Sequence, residues 1–578
     1  MGAGPAGLLA AARIKAARPD WQVVVHERSP KDVTYGYGVV FSDVAVRTIR
    51  FMTPALGAVL ASQVAWQDVE IRAHGLRHRV SGHGYVALSR HRLLAELRAQ
   101  ALDAGVELRY ETPVALDELR SRYDLVVAAD GARSRTRAAL AAELGARVGR
   151  GRSRFAWLGT PAAFDAMTFV FEETPDGLAV AHGYPHGDGI STFVVEVPGR
   201  DGPAAGTRER AERDLGHWSR VFAEHLGHRP LRAKDLRWEH FPTVRLDRCV
   251  HENVVLIGDA AHTAHYSVGS GTRLALEDAF TLGQALGRND DLAAALAEYE
   301  RGRLPAAREL TAAGERSMRW FEQAPAFLRR PAPQFAVHLL SRASLPSVEK
   351  LADDAPELVR RATRVLAGDA PLPPAGVLAL PLEAGAARLP GRLLRAAATG
   401  GPGPRTAVRT GRIAFTGRDG ATAALGLIDM GPCPPDGARA ATEAETLATS
   451  LAEALAEDAR AAGRPPAPAV AVRTPCSGGT GAAGATLARL RVMRRAGLCD
   501  LVDLAAPDGG TADPEALLDA LELADTVRSS LGVAVLLSGF QARPDQIATH
   551  VLAGRVDAWC VPASPPSHHV DDVHTEGD

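Results

Sequence analysis

Three short segments, far apart in this chain of 578 residues, carry glycines and acids whose spacing suits the holding of a dinucleotide. The first is Gly2-Ala3-Gly4-Pro5-Ala6-Gly7, with Glu27 and Arg28 about twenty residues further on. A glycine turn that feeds a helix aims unpaired N–H groups and the positive end of the helix dipole at an anion such as a pyrophosphate. Gly2 permits the tight turn, Gly4 lets the backbone approach phosphate, Gly7 lets the helix pack closely, and Glu27 can accept from ribose hydroxyls. Ala6 and Arg28 stand among the same expected contacts.

The second segment, Asp130-Gly131-Ala132-Arg133-Ser134, follows an apolar strand over 125–129 and would bring a carboxylate and bare backbone to the same ligand. Arg133 and Arg137 would add positive charge there. An Asp-Gly step after a strand also makes an ordinary turn, so its weight comes from its company. The third segment, Val254-Val255-Leu256-Ile257-Gly258-Asp259-Ala260-Ala261-His262, ends a buried strand at a carboxylate able to bind the ribityl hydroxyls of a flavin. Gly269-Ser270-Gly271 then opens a helix with Thr272 in its first turn, and its amides would stabilise negative charge on a reduced flavin.

These segments need rigid supports. Alternating apolar strands and amphipathic helices from 1 to 150 predict the first part of a doubly wound, mainly parallel α/β sheet. Short alternating runs at 167–172, 178–184 and 190–197 predict an inserted antiparallel substrate sheet over 151–245. The helix at 271–286 and a helical stretch at 292–321 mark the return of the FAD-binding domain over 246–365. That last stretch either packs the core or forms the face of a homodimer. Prolines 371, 373, 374, 402 and 404 predict a linker over 366–410. Short apolar runs predict buried strands with helices between them, an α/β region over 411–562, before a disordered tail over 563–578. Only Met1 precedes Gly2, so the strand that usually leads into such a turn is missing; the expectation is a natural start several apolar residues upstream.

Composition excludes some classes. With 66 basic and 68 acidic side chains and a formal net charge of -2, the chain carries no electrostatic footprint for nucleic acid. No apolar run approaches the roughly 18 residues that span a bilayer, so no membrane partner is expected. The 5 cysteines are scattered without C-x-x-C spacing, which predicts neither a disulfide frame nor a metal site and favours a reducing, cytoplasmic location.

The three segments resemble those of the group A flavoprotein aromatic hydroxylases, the para-hydroxybenzoate hydroxylase fold, over roughly residues 1–327, which implies that the doubly wound sheet is an FAD-binding one of the GR2 type. Ser89-Arg90-His91-Arg92-Leu93-Leu94 is similar to that family's helix start, in which Arg90 would reach FAD. The resemblance narrows to the branch holding salicyloyl-CoA 5-hydroxylases, 2-aminobenzoyl-CoA monooxygenases and the tryptophan hydroxylase of violacein synthesis. It is carried by Tyr37-Gly38-Val39-Val40-Phe41-Ser42-Asp43, Trp157-Leu158-Gly159-Thr160, Ser191-Thr192-Phe193-Val194-Val195-Glu196 and His262-Thr263-Ala264-His265-Tyr266-Ser267-Val268-Gly269. It implies bound FAD, NADH or NADPH as co-substrate without a separate nicotinamide domain, and oxygen transfer to an activated aromatic ring. Where the wider family has a proline pair, this chain has His265-Tyr266, which would lie beside the flavin's reactive edge. Either could position a phenol or aniline by a hydrogen bond, and a packing role for His265 is an equal alternative.

The end of the chain, especially residues 532–539 and 552–558, resembles the last units of the old yellow enzyme barrel, which implies a shortened, TIM-barrel-like region over 411–562. The 178 residues from Gly401 fall short of the about 250 such a barrel needs. No tyrosine follows Tyr299 to serve as that family's proton donor, so FMN binding and a second reductase reaction are not expected. The expected enzyme is an FAD-dependent monooxygenase of an aromatic acyl-CoA, first salicyloyl-CoA, then 2-aminobenzoyl-CoA or a free or carrier-bound indole or aromatic acid. A non-catalytic FAD-holding assembly subunit is the reading from another class.

Overall fold

The computed structural model describes residues 1–368 apart from 32, 34–36, 83, 188, 199–207, 235 and 345, and then 382–384, 387–389, 393–399, 409–416, 422–429, 470–475, 480–496, 499–506 and 513–561. The chain divides into two compact units, Met1–Pro325 and Ala326–Asp578.

In the first unit, helix Pro5–Ala17 is buried on nearly every side, from Ala6 to Ala12 and again at Ile14. A helix without a polar face belongs in an interior, and small residues let its neighbours come close. A Cβ on Gly283 of helix Gly271–Arg288 would lie 2.7 Å from Arg13 Cβ. Around this helix run two parallel ladders, Val24–His26 with Glu107–Arg109 and Val126–Ala128 with Val254–Leu256. Residues 1 and 2 stitch them together. The Gly2 amide donates to His26 O at 2.8 Å, the Met1 nitrogen to Val127 O at 2.9 Å, and the Ala129 amide to Met1 O at 2.9 Å.

The stretch up to 150 departs from the expected parallel pattern. Gly38–Ser42, Tyr85–Ser89 and Ala65–Trp66 form a separate antiparallel sheet. Hairpin Val69–Ala73 with Leu76–Val80 joins the large sheet of the inserted segment instead. Its turn, His74-Gly75, holds both residues at positive φ, 55° and 69°, the geometry of a two-residue hairpin loop. That sheet has seven strands in the order Glu239–Arg245, Arg147–Thr160, Ser191–Val197, Gly177–Pro185, Met167–Thr174, Val69–Ala73 and Leu76–Val80.

Strand alternation gives the sheet two faces. Ala156, Leu158, Phe193, Val195 and Val197 point one way and pack with Phe222, Leu226 and Leu231. Phe155, Trp157, His182 and Glu196 point the other way. On that side Phe169 stacks with Phe321 of the long helix Leu292–Phe327 at 5.9 Å, and His182 meets Phe321 at 4.7 Å.

The second unit opens with helices Ala332–Leu340, Val348–Asp354 and Pro356–Ala367. Seven strands then close on themselves. Leu393–Thr399, Arg409–Thr416 and Thr422–Asp429 pair antiparallel. Val470–Pro475, Leu501–Ala505, Ala534–Ser538 and Ala558–Val561 continue in parallel and return to the first. The four parallel strands coincide with the apolar runs read in the sequence. The antiparallel three do not, and Leu393–Thr399, with the pair Leu382–Ala384 and Ala387–Leu389, lies within the stretch read as a linker. Their alanines and arginines carry little β-propensity, which hid them. The rest of that linker, residues 430–469 and the tail 563–578 lie outside the described residues. A buried charge cluster ties this unit together: Asp525 accepts from Arg330 at 2.7 Å and Arg555 at 3.0 Å and lies 2.8 Å from His338 Nε2.

Candidate active site

The three glycine and acid segments meet around the first turn of helix Pro5–Ala17. Gly2 sits at φ 96°, and a Cβ there would fall 2.3 Å from Ala129 O, while one on Gly7 would fall 2.0 Å from Gly2 O. These two glycines are packing requirements. Gly4, and Gly131 at φ 81°, instead face open space, where a Cβ would meet no atom within 4 Å. Gly258, at φ 58°, lets the third segment rest on Ala6, 3.0 Å from where its Cβ would be.

Glu27 reaches this turn, accepting from the Ala3 amide and the Ser29 amide, each at 2.8 Å. Arg28 beside it is exposed. Asp130 is turned onto its own loop: Ser134 Oγ donates to one oxygen at 2.6 Å, and the Arg135 and Thr136 amides donate to the other at 2.9 and 3.2 Å. Arg137 fastens the second segment to the third, donating to Ala132 O at 2.6 Å and Ala260 O at 3.0 Å.

Asp259 is exposed, yet the protein around it desolvates its carboxyl and raises it above the ordinary range, against the pull of Arg90. Burial in turn lowers Arg90, and the charge of Asp259 opposes that. Beneath Asp259 lies a carboxylate that sequence reasoning missed. Asp278, 0% exposed, accepts from the Gly258 amide at 2.8 Å and Arg303 Nε at 2.9 Å and lies 2.7 Å from His262 Nε2. Burial alone would raise its carboxyl, but His262, Arg303 and the Gly258 amide hold it below the usual value. The signal was a lone acid in the apolar face of Leu274, Ala275, Leu276, Ala279 and Leu282.

Gly269, at φ 62°, closes the loop after Tyr266-Ser267-Val268, and helix Gly271–Arg288 starts with no side-chain cap, as does helix Pro5–Ala17. Thr272 is half-buried in its first turn. Two helices with uncapped starts, a glycine turn open to space and the carboxylates of Glu27 and Asp259 near it fit a flavin dinucleotide.

The His265-Tyr266 loop precedes the start of helix Gly271–Arg288 and packs on the seven-stranded sheet. His265 is buried; its Nδ1 is 2.7 Å from Ser267 Oγ, which is 2.7 Å from Ser317 Oγ. Tyr266 donates to Glu196 Oε2 at 2.7 Å, and His182 Nε2 lies 3.3 Å from the same oxygen. Rings surround Tyr266: Phe155 at 5.0 Å, His182 at 5.3 Å, Trp157 at 5.8 Å and Phe241 at 6.1 Å. Burial pushes the Tyr266 phenol well above its ordinary value, with Glu196 adding to the shift. Burial alone would raise Glu196, but the hydrogen bond from His182 and the charges of His265 and His182 outweigh it and hold the carboxyl below its usual value. Glu196 and His182 were not singled out as site residues; an acid in the apolar strand Ser191–Val197 was the available sign.

Among the described residues no group of histidine, cysteine and acidic side chains could hold a metal ion, and no helix is long and apolar enough to cross a membrane.

Residues 68–313 match the family model described as FAD binding domain. The chain is 36% identical over 363 residues to a salicyloyl-CoA 5-hydroxylase from Streptomyces sp, covering 60% of this chain and 69% of the relative. It is 39% identical over 326 residues to the 3-hydroxy-4-methyl-anthranilyl-[aryl-carrier protein] 5-monooxygenase of Streptosporangium sibiricum, covering 56% of this chain and 88% of the relative. It is 31% identical over 330 residues to the protodeoxyviolaceinate monooxygenase of Chromobacterium violaceum, covering 56% and 88%. With the dinucleotide cradle, the uncapped helix starts and the aromatic face in one compact unit, the chain belongs to the family of FAD-dependent aromatic monooxygenases.

Proposed function

We propose that this monooxygenase hydroxylates the ring of an aromatic acyl-CoA, with salicyloyl-CoA the first candidate and 2-aminobenzoyl-CoA the second. The observation that carries the reading is the ring-lined face formed by Phe155, Trp157, Phe241 and Tyr266, with Glu196 and His182 as its polar centre, beside the loop that leads to Gly271. The names of two relatives, one acting on a CoA thioester and one on a carrier-bound anthranilyl group, support an activated aromatic acid.

FAD, when bound, supplies electrons taken from NADH or NADPH and activates oxygen. Gly4 would admit its pyrophosphate, on a turn that Gly2, Ala6 and Gly7 allow to close; Glu27 and Arg28 would serve the adenosine end; Arg90 and Asp259 would line the middle, with Asp130 holding the adjoining loop. Gly269, Gly271 and Thr272 present amides to the flavin ring. His265 and Tyr266 hold the substrate ring in register and, with the surrounding aromatics, keep water from the reacting centre. The closed sheet of the second unit is a shortened relative of the old yellow enzyme barrel with no reductase reaction of its own. The enzyme works in the cytoplasm on a small aromatic thioester.

The test is a panel of aromatic acyl-CoA thioesters and free acids assayed for substrate-stimulated NAD(P)H oxidation, with labelled oxygen followed into the product. The expected result is strong stimulation by one hydroxy- or aminobenzoyl thioester. Stimulation by free acids alone overturns the thioester assignment.

A further inference from the structure

Two polar atoms on the ring-lined face have no partner among the described residues. One is Glu196 Oε1, the second oxygen of a carboxylate that is 0% exposed; the other is Trp157 Nε1, the indole donor. Register places them side by side. Trp157 stands opposite Val194, so Glu196 is its diagonal neighbour on the same face, with backbones about 7–8 Å apart. Both flank Tyr266, whose ring is 5.8 Å from Trp157 and whose hydroxyl is committed to Glu196 Oε2.

A buried carboxylate oxygen and a buried N–H without partners each cost stability, and a bound polar group that met both would recover that cost. The groups facing Glu196 do not complete Oε1. Tyr266 and His182 both address Oε2, His265 acts at longer range, and the oxygen of nearby Glu322 receives the Arg152 amide. The vacancies have opposite character: Oε1 accepts only, Nε1–H donates only.

We propose that Glu196 and Trp157 are the specificity-determining pair of the substrate face: Glu196 Oε1 accepts from a hydroxyl or amino group on the substrate ring, and Trp157 Nε1 donates to the carbonyl oxygen beside it. The ligand class is an aromatic carbonyl compound with a donor and an acceptor on one edge. This rests on the reading of an aromatic acyl substrate and adds which ring substituent is read and by what. Tyr266 and His182 fix the carboxylate, so that Oε1 is presented rather than turned aside. A ring lacking the donor strands Glu196 Oε1, and a site built to bond a polar group rejects an analogue without it far more strongly than an apolar site rejects a change of size.

The test uses the full-length, FAD-loaded protein. Binding of salicyloyl-CoA, 2-aminobenzoyl-CoA, 2-methoxybenzoyl-CoA and phenol is titrated through flavin fluorescence, alongside KM and kcat for NAD(P)H oxidation. The wild type is expected to prefer salicyloyl- or 2-aminobenzoyl-CoA over the methoxy compound by about tenfold or more. In Glu196→Gln that preference shrinks severalfold with FAD content unchanged. In Trp157→Phe the thioesters weaken by about tenfold, phenol binding is unchanged, and the loss appears in KM more than in kcat. Equal wild-type binding of the methoxy and hydroxy thioesters overturns the assignment without any variant having to fold. So does a preference that survives both substitutions. If no aromatic compound stimulates NAD(P)H oxidation, the proposed function fails and takes this assignment with it; stimulation with unaltered selectivity sinks only the pair.

Discussion

Asp278 and Glu196 are both carboxylates with 0% exposure in the same compact unit, yet their surroundings differ. Asp278 lies under the cofactor cradle with a backbone amide, a guanidinium and an imidazole on its two oxygens. Glu196, on the substrate face, has a tyrosine and a histidine on one oxygen and no partner among the described residues on the other. Burial is equally severe at both, so the number of partners separates them. A carboxylate that builds structure is saturated by the fold; one with a free oxygen at a ring-lined face is left for a ligand to saturate. Asp525 of the second unit, held by two arginines and His338, falls with Asp278.

The largest expected effect tests the saturated side. Asp278→Ala strands His262 and Arg303 and frees the Gly258 amide, so the loss should approach the about 3–5 kcal/mol of a broken buried ion pair, read by urea or thermal unfolding. Acid dependence gives a second reading of the same residue. Its carboxyl is held below the unfolded value, so its contribution is complete above about pH 4 and disappears as pH falls through the folded value. In Asp278→Asn the melting temperature should therefore be lower at neutral pH, and its gap to the wild type should close below about pH 4. A gap that stays constant down to pH 2.5 would show that the charge contributes nothing.

Two glycines of one turn sharpen the contrast between fold and ligand. A methyl on Gly7 meets Gly2 O at 2.0 Å, whereas one on Gly4 meets nothing of the protein within 4 Å. Gly7→Ala should destabilise the FAD-free protein by about 1–3 kcal/mol, the usual cost of overpacking. Gly4→Ala should leave its melting temperature alone while weakening FAD by about tenfold, as expected where backbone must approach phosphate. Flavin fluorescence titration and thermal melts of the stripped proteins separate the two. Equal effects on both quantities would remove Gly4 from the phosphate site.

How much of this could be read from the sequence follows the same division. The tight turn at Gly2 and Gly7 was legible because so close a backbone approach tolerates few residues but glycine, and the segments at Asp130 and Asp259, which meet the same turn, were legible by company. The strands at 167–197 showed through their alternation. Hairpin Val69–Ala73 with Leu76–Val80 was passed over although His74-Gly75 marks its turn, because its strand partner, Met167–Thr174, lies far along the chain. Asp278, Glu196 and His182 were invisible for a related reason. Their meaning comes from partners on other elements, and a single acid in an apolar run looks the same whether three donors await it or two. Asp130 shows the reverse: a motif position that pointed to the cofactor spends both oxygens on its own loop.

The smallest effect is expected at Tyr266. Removing its hydroxyl in Tyr266→Phe keeps the ring among Phe155, Trp157 and Phe241 and deletes one hydrogen bond to Glu196 Oε2. His182 remains on that oxygen, so the stability lost should be about 0.5–1.5 kcal/mol, the net value of one such bond. Catalysis should respond differently. A freed carboxylate can swing Oε1 away from the substrate edge, so selectivity for the ring donor should relax while FAD affinity holds. Tyr266→Phe combined with Glu196→Gln should then cost little more selectivity than Glu196→Gln alone, because both act through one oxygen. Additive losses in that cycle would mean that Tyr266 reads the substrate by itself, and that the comparison of the two carboxylates explains only half of the substrate face.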